Sequence, residues 1–439
     1  MQALADLYLQ HLAGLKQTYE RLLAQEPAGT VAVLHSGSLV YRFADDQPYP
    51  FEATPHFQVW LPLNLPECFL VLRLGETPVL YYWQPEDFWY EPPQAPEGFW
   101  AALFDIRVVQ QVHQVFADLN PQQCVYLGSN EALARDKGFK SINPDDWVHP
   151  LNYARTVKSA YEIACIREAN EIGIRGHQAA YQAFEAGASE YAIHNAFLEA
   201  TGQLERQCPY STIVALGAHS SILHYEGKCP APQGSASFLI DAGARLNGYC
   251  SDITRTYAQD SSLFSELIQR MDQLQRNLVA AVKPGITFLS LHEQAHQGVA
   301  AILQETGLVK LSVDTLFEQD ITSTFFPHGL GHLLGIQVHD VAGHYQDETG
   351  QLKPPPKRYP FLRFTHVLRL GQVFTVEPGF YLIPSLLEKL RVSEHAQAVD
   401  WSLVEHLLPY GGIRIEDNIA VTADGSENLT RSNFIEQLM

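Results

Sequence analysis

The feature that most constrains this chain is the segment 238–257, FLIDAGARLNGYCSDITRTY, in which an Asn-Gly pair separates two runs of strand-forming residues. Asn-Gly is the strongest short-range signal for a β-hairpin turn. If Asn247 occupies the first central position of the turn, Asp241 lies opposite Thr254. Asp241 and Asp252 then share one face as diagonal neighbours, with Cβ atoms roughly 7 Å apart or less.

Two carboxylates on one face of a strand pair repel each other, and Asp is disfavoured inside strands. Cations between them remove this objection, and the predicted spacing suits two metal ions about 3.5–4 Å apart. The hairpin therefore favours a metal site that includes Asp241 and Asp252. The alternative from these residues alone is an amphipathic hairpin whose two Asp side chains face solvent.

Length and charge narrow the class of protein further. A chain of 439 residues predicts two domains, and we place them at 1–155 and 156–439. The formal net charge of −20 argues against nucleic acid or an anionic membrane as a partner. The six cysteines form no CxxC pair, and no signal peptide or membrane-spanning stretch is evident. These features predict a cytoplasmic protein with reduced thiols.

Hydrophobic spacing predicts a helix over the first ~25 residues. The first domain then reads as α/β, with strands at Val31–His35, Phe69–Leu72, Val79–Trp83 and Cys124–Leu127. The second domain reads as α+β. Its predicted helices are Val157–Phe184, Tyr191–Leu204, Leu263–Val282 and Leu289–Glu305, and its predicted strands are Thr212–Leu216, Ser237–Asp241, Gln372–Glu377 and Ile413–Val421.

Histidines concentrate in the segment 326–340, FPHGLGHLLGIQVHD, where His328, His332 and His339 are separated by Gly and apolar residues. Imidazoles are common ligands of borderline metals, and Gly permits close backbone approach. Three histidines at this density are poorly explained as ordinary core residues. The segment therefore predicts a metal or catalytic site, without deciding which imidazole binds.

Two further carboxylates follow apolar strands. Glu377 ends the run VFTVEPG, where a buried carboxylate requires a partner or a ligand. In GGIRIED, alternation places Arg414 and Glu416 on one face, which read alone could equally be an ion pair on a surface strand. His224 ends the apolar segment ILHY, and a satisfied core histidine is its ordinary interpretation.

A competing motif lies at residues 292–296, HEQAH, which matches the HExxH pattern of zinc peptidases. On a helix, His292 and His296 would share a face. The continuation lacks the second Gly-and-His extension, and Glu293 reads as part of a solvated face. We therefore do not expect a zinc site here.

Taken together, the Asp pair eleven residues apart, HGLGH followed by VHD, VEPG and RIED resemble the prolidase branch of the pita-bread metallopeptidases. This branch includes Xaa-Pro dipeptidases and aminopeptidase P, and close relatives are described as organophosphorus acid anhydrolases. The chain is most similar to the bacterial dipeptidases over essentially its whole length. The resemblance implies an N-terminal α/β domain followed by a catalytic pita-bread domain.

The resemblance also implies site residues. The metal ligands would be Asp241, Asp252, His332, Glu377 and Glu416, holding two divalent ions, with Mn²⁺ the expected metal. A hydroxide bridging the metals would attack the carbonyl before proline; Glu377 would carry the proton, and His224 and His339 would stabilise the tetrahedral intermediate. The implied substrate-binding residues are Arg363, Arg414, His328, Tyr210, Val338 and Asp45.

Arg363 is the first candidate to bind the substrate carboxylate, because guanidinium groups bind carboxylates bidentately. The resemblance further implies a homodimer, with the N-terminal domain serving dimerisation and as a pocket lid, and Asp45 near a partner's site. Hydrolysis of organophosphate triesters and fluoridates is expected only as a side activity. Aminopeptidase P activity and a binding module without enzyme activity are the alternatives.

Overall fold

The computed structural model describes residues 2–431, which form two compact units. Of these residues, the first unit comprises 2–155, 159–164 and 347–351, and the second comprises 156–158, 165–346 and 352–431. Each unit has its own sheets. Among the described residues, no helix has the length and apolar character needed to cross a membrane.

The first unit is built on one six-stranded mixed sheet. Its helices are α1 Gln2–Leu23, α2 Pro55–Gln58, α3 Glu131–Asp136 and α4 Asp145–Ala154, with 3₁₀ helices at Ala101–Leu103, Val112–Asp118 and Pro121–Gln123. Its strands are β1 Val31–His35, β2 Phe69–Leu72, β3 Val79–Trp83, β4 Asp105–Val109, β5 Cys124–Leu127 and β6 Ser141–Ile142, in the spatial order β4-β3-β2-β1-β5-β6.

The four strands predicted in this unit are confirmed with the predicted bounds. Strands β2 and β5 are buried along their whole length, as expected for central strands of an α/β unit whose faces are both covered. β1 pairs with β2 antiparallel and with β5 parallel. The predicted long helix at the start of the chain is α1.

The second unit surrounds several small antiparallel sheets with helices. Its helices are α5 Ala160–Glu185, α6 Glu190–Thr201, α7 Leu263–Ala281, α8 Phe288–Glu305, α9 Val313–Glu318, α10 Pro384–Arg391 and α11 Trp401–Leu407, with 3₁₀ helices at Glu205–Gln207, Gly217–Ser221, Ile321–Thr324, Ala396–Ala398 and Leu408–Tyr410; α5 begins in the segment assigned to the first unit. Its strands are β7 Ile213–Leu216, β8 Ser237–Asp241, β9 Arg245–Leu246, β10 Tyr249–Cys250, β11 Thr254–Ala258, β12 Val373–Val376, β13 Gly379–Tyr381, β14 Gly412–Arg414, β15 Asp417–Val421 and β16 Ser426–Asn428.

The core of this unit forms because α7 and α8 are amphipathic. α7 begins at the N-cap Ser262, whose side chain accepts from the amide of Ser265. It buries Phe264, Leu267 and Met271 at helical spacing. These side chains pack in one cluster with residues of α8, β12 and β14. The strands β12 and β14, which directly precede Glu377 or carry Arg414, are thereby packed against α7 and α8.

The predicted hairpin register is confirmed. Asp241 pairs with Thr254 across β8 and β11, and Leu246 pairs with Tyr249 across β9 and β10. Between these ladders the amide of Ala242 donates to the carbonyl of Ile253 at 3.0 Å, so the same register continues. Asn247 and Gly248 have φ values of 50° and 90°, as a type I′ turn requires.

The strand predicted over Ile413–Val421 is two strands, β14 and β15, which pair with different partners. The chain changes sheets at Ile415 and Glu416, where the amide of Glu416 donates to the carbonyl of Thr254 at 3.0 Å. Arg414 and Glu416 are 5% and 2% exposed. The surface-strand interpretation is therefore wrong, because both faces of this segment are buried.

Candidate metal centre

The two aspartates of the hairpin face the same space. The Tyr210 hydroxyl lies 2.7 Å from Asp241 Oδ1 and 2.6 Å from Asp252 Oδ1, and donates its single proton to one of them at a time. The backbone of Asp252 is held by Asn418, whose side-chain oxygen accepts from the Asp252 amide while its nitrogen donates to the Asp252 carbonyl. The diagonal arrangement expected from the register is thus present.

His332 brings an imidazole to this carboxylate pair. Its Nε2 lies 3.3 Å from Asp252 Oδ2 and 3.7 Å from Glu377 Oε1. Its Nδ1 donates to the carbonyl of Leu333 at 3.0 Å, which leaves the Nε2 lone pair directed at the acidic side chains in the neutral tautomer. Orientation of one ring nitrogen by a backbone carbonyl is typical of metal-binding histidines.

Glu377 is placed by a short antiparallel pairing between residues 330–332 and 375–377. The amide of Glu377 donates to the carbonyl of Leu330 at 2.9 Å, and the amide of Thr375 donates to the carbonyl of His332 at 3.0 Å. A Cβ on Gly331 would lie 2.0 Å from the carbonyl oxygen of Thr375. Only glycine allows these two segments to approach so closely, and this approach brings His332 and Glu377 together.

Glu416 completes the acidic group from the crossover between β14 and β15. Its Oε2 accepts from Thr254 Oγ1 at 2.5 Å. One ligand atom each from Asp252, His332 and Glu416 lie within 4.8 Å of one another. Arg414 donates from Nη2 to Asp241 Oδ2 at 2.6 Å and from Nη1 to the Tyr381 hydroxyl at 2.8 Å.

The charge balance of this group fits divalent cations. Four carboxylates face one guanidinium and one imidazole, and all six groups are largely buried. Burial raises the pKa of Glu377 to about 7, and burial with three neighbouring carboxylates holds the pKa of Glu416 well above its usual value. Burial would also raise the pKa of Asp252, but the hydrogen bond and charge of His332 lower it overall.

A cluster of buried carboxylates whose charges oppose one another is costly without a counter-charge. Divalent ions supply that charge, and oxygen donors with one imidazole suit Mn²⁺ on hard–soft grounds. The residues present therefore fit the metal group that the resemblance implies. The ligands would be Asp241, Asp252, His332, Glu377 and Glu416.

A cavity of about 490 Å³ opens onto these side chains. The other predicted residues of the second unit also line it, namely His224, Tyr210, His328, Val338, His339, Arg363 and Arg414. His224, His339 and Arg363 are exposed within the cavity, so His224 is not a core histidine. Asp45 is an exposed residue of the first unit, where its carboxylate accepts from the amide of Gln47.

His328 lies in a fixed hydrogen-bonded chain at the edge of this cavity. Its Nδ1 donates to the carbonyl of Gly329, so its Nε2 accepts from the Tyr381 hydroxyl at 2.8 Å, and Tyr381 in turn accepts from Arg414. Burial lowers the pKa of His328 to about 3, which keeps the ring neutral. Its orientation is therefore set by hydrogen bonds to Gly329 and Tyr381, and its Nδ1 lies 3.9 Å from Glu377 Oε2.

The HExxH segment lies elsewhere in the unit. His292 and His296 are 2% and 1% exposed on α8, where they pack against Phe326 and Tyr359. Glu293 is half-buried on the same helix. The expectation that this motif is not a metal site stays a prediction; in the structure both imidazoles lie among aromatic rings, and His296 Nδ1 is 2.8 Å from Thr322 Oγ1.

Several site residues were not identified from the sequence. Thr254 contacts both Arg414 and Glu416, although its place opposite Asp241 in the predicted register already put its side chain on the acidic face. Thr375 donates to Glu377 Oε1 at 3.2 Å. Tyr381 and Asn418 had no comparable local signal, because each reaches the site through tertiary contacts.

Comparison with known proteins defines the class. The profile of metallopeptidase family M24 matches residues 164–423, and that of the Xaa-Pro dipeptidase N-terminal domain matches residues 6–153. The chain belongs to metallopeptidase family M24.

Within this family, the chain is similar to Xaa-Pro dipeptidases of bacteria. It is 45% identical to that of Shewanella amazonensis over 436 residues, which cover 98% of this chain and 99% of the relative. It is 44% identical to that of Pseudoalteromonas atlantica, with the same coverage. Among solved structures, Escherichia coli aminopeptidase P with the inhibitor Pro-Leu matches with a TM-score of 0.74 and 25% identity, over 98% of this chain and 95% of that one.

These matches confirm the predicted resemblance to bacterial Xaa-Pro dipeptidases, the α+β pita-bread fold with its N-terminal domain, and the prediction of a hydrolytic enzyme of the metallopeptidase class.

Proposed function

We propose that this chain hydrolyses dipeptides of the form Xaa-Pro. The observation that carries the proposal is the convergence of four carboxylates and His332 on one wall of a cavity of about 490 Å³, a volume suited to a small ligand. The Xaa-Pro dipeptidases to which it is similar match it over 98% of its length.

We assign each residue a role from the position of its side chain. Two divalent ions held by the five proposed ligands would supply Lewis-acid activation of water and of the scissile carbonyl. Glu377 would accept a proton from water and pass it to the leaving nitrogen. This nitrogen belongs to proline and carries no amide hydrogen, so it must be protonated before the bond breaks.

His224 and His339 are exposed in the cavity, and His339 packs edge-on against His332 with ring centres 4.4 Å apart. We assign to both the stabilisation of the negative charge that develops on the carbonyl oxygen. Val338 and Tyr210 also line the cavity. His328, held neutral by burial, lines the same cavity.

Recognition of the substrate carboxylate is assigned to Arg363, whose side chain is exposed in the cavity. Arg414 is the second candidate, although its guanidinium already donates to Asp241, Tyr381 and Thr254. The test compares Leu-Pro with Leu-Pro amide. Wild type should prefer Leu-Pro strongly, and Arg363→Met should lose most of that preference through a raised KM. An unchanged preference in the variant would remove Arg363 from this role.

Aminopeptidase P activity is the second candidate, because solved aminopeptidase P structures share this fold over nearly the whole chain. Rates on Leu-Pro and on a Leu-Pro-Leu tripeptide separate the two. A dipeptidase turns over Leu-Pro and leaves the tripeptide almost untouched, whereas aminopeptidase P acts on the tripeptide. A slow side hydrolysis of phosphotriesters is part of the proposal, because their tetrahedral phosphorus resembles the peptide intermediate.

We further propose that the chain forms a homodimer in the cytoplasm through its N-terminal unit, with Asp45 contributed near a partner's site. Large exposed aromatic side chains on this unit, including Phe43, Phe88 and Trp89, support an interaction surface. All six cysteines are free, which fits a reducing compartment. Sedimentation equilibrium tests the dimer, and a monomer at micromolar concentration would contradict it.

A further inference from the structure

Glu190 is a fully buried carboxylate outside the acidic cluster described above. It is the first residue of α6, after the N-cap Ser189. Its side chain turns away from the helix axis toward the segment 216–229, which we call the His224 loop. A buried carboxylate is retained only where its oxygens are fully hydrogen-bonded or paired.

Four donors from the His224 loop satisfy Glu190. Oε1 accepts from the amide of Leu216 at 2.8 Å and from His219 Nδ1 at 2.7 Å. Oε2 accepts from the Tyr225 hydroxyl at 2.8 Å and from the amide of Cys229 at 2.7 Å. These hydrogen bonds lower the pKa of Glu190 although burial acts to raise it, so the carboxylate is charged.

The four contacts bracket the residues that line the cavity. Leu216 and Cys229 are the two ends of the loop, and Tyr225 directly follows His224. The ring of Tyr225 stacks on that of His219 with centres 4.4 Å apart, so two of the donors also support each other. Leu223, His224 and Glu226 line the cavity from the intervening stretch.

Apart from the hydrogen bonds to Glu190, the ring of Tyr225 packs against a small apolar cluster of β7 and β8. Within the part of the chain that the structure describes, the backbone amides of residues 223–228 make no hydrogen bond to a backbone carbonyl. His224 itself is exposed. The position of the His224 imidazole in the cavity therefore depends on how firmly the residues on either side of it are held. These residues are hydrogen-bonded to the carboxylate of Glu190.

We propose that Glu190 is a positioning residue, which fixes the His224 loop so that the His224 imidazole stands at the reacting carbonyl. The assignment rests on the proposed function, because it gives His224 its role at the carbonyl oxygen. A displacement of about 1 Å at such a group can cost about 100-fold in rate.

Glu190→Gln is the test variant, because it keeps the shape of the side chain but replaces one acceptor oxygen with an NH₂ donor. Whichever way the amide turns, its NH₂ group then faces one backbone amide that can only donate, that of Leu216 or Cys229, and one side chain, His219 or Tyr225, that must stop donating. We expect kcat for Leu-Pro to fall about ten- to hundredfold with KM within about threefold, and metal content to match wild type. Glu388→Gln, on the exposed side of α10, is the matched control and should behave as wild type.

Two further measurements distinguish positioning from a general structural effect. In a His224→Ala background, Glu190→Gln should cause little additional loss of kcat. Limited trypsin digestion should cut Glu190→Gln faster after Lys228 than wild type or Glu388→Gln, because the next amide, that of Cys229, is one of the four donors. Equal fold-losses in both backgrounds, or wild-type kcat with wild-type digestion, would overturn the assignment.

The trypsin comparison does not depend on catalysis. If wild type fails to hydrolyse Leu-Pro, the proposed function is contradicted, and digestion alone decides whether Glu190 holds the loop.

Discussion

The pairing between residues 330–332 and 375–377 predicts a large effect for Gly331→Ala. The new Cβ would lie 2.0 Å from the carbonyl oxygen of Thr375 and 2.8 Å from its Oγ1, whereas ordinary contact begins at 3.4 Å. The two segments must therefore move apart by more than 1 Å, roughly the excess over ordinary contact. They carry His332 and Glu377, so the substitution pulls apart two proposed ligands without touching either side chain.

The magnitude follows from the contacts that separation would break. Three hydrogen bonds of 2.9–3.1 Å join the segments, from the amides of Glu377, Thr375 and His332. Losing two of them costs about 2 kcal/mol, and the strain of the added methyl costs about 1–3 kcal/mol. We expect a loss of about 3–5 kcal/mol in unfolding free energy. The displaced ligands should also lower kcat/KM by about 100-fold or more.

Urea unfolding, metal content after dialysis and Leu-Pro hydrolysis measure these effects. The matched control is Gly14→Ala in α1, where an added Cβ has no atom within 4 Å. It should raise stability by about 0.5–1 kcal/mol and leave activity unchanged. A Gly331→Ala protein with the stability, metal content and activity of wild type would refute the reasoning.

Three further predictions follow from buried contacts. His292→Ala should lose about 2–4 kcal/mol of stability by leaving a cavity beside Tyr359, yet keep the metal content and kcat of wild type; loss of activity in a folded variant would revive a zinc site there. Burial lowers the pKa of His296 from 6.5 to about 4, so on acidification the unfolded chain binds a proton before the folded chain does. The stabilisation that neutral His296 contributes is therefore fully present above pH 6.5, and about 3 kcal/mol of it is lost toward pH 4. In His296→Leu, the midpoint of urea unfolding should depend less on pH over this range. Asn418→Leu should cost about 2–4 kcal/mol in urea unfolding and weaken metal retention, because the amide and carbonyl of Asp252 lose their partner; unchanged retention would contradict that support.

Local rules predicted the half of the site that lies on the hairpin. The Asn-Gly turn fixes the register, and the register fixes which side chains share a face, so the Asp241–Asp252 arrangement required no tertiary information. The same register places Thr254 opposite Asp241, although Thr254 was not identified as a site residue from the sequence. The bounds of the strands in the first unit could also be predicted from the sequence, because these strands are short apolar runs such as β2.

The rest of the site depends on tertiary contacts that local patterns do not encode. The Gly-rich segment with three histidines has no regular period, so nothing local selects His332 over His328 or His339. The alternating pattern around Glu416 was compatible with a single strand at the surface. Alternation alone does not show that both faces of this segment are covered by other parts of the protein. Tyr210 and Glu190 act through residues at least 26 positions away in the chain.

The central claim is that four carboxylates and His332 hold catalytic metal, and metal content measured together with Leu-Pro hydrolysis tests it most directly. Wild type should retain roughly two divalent ions per chain, lose activity to a chelator and regain it with Mn²⁺. Asp252→Asn should lose both metal and activity, whereas Asp424→Asn, at an exposed carboxylate, should lose neither. Full activity in a metal-free preparation, or undiminished activity in Asp252→Asn, would contradict the account.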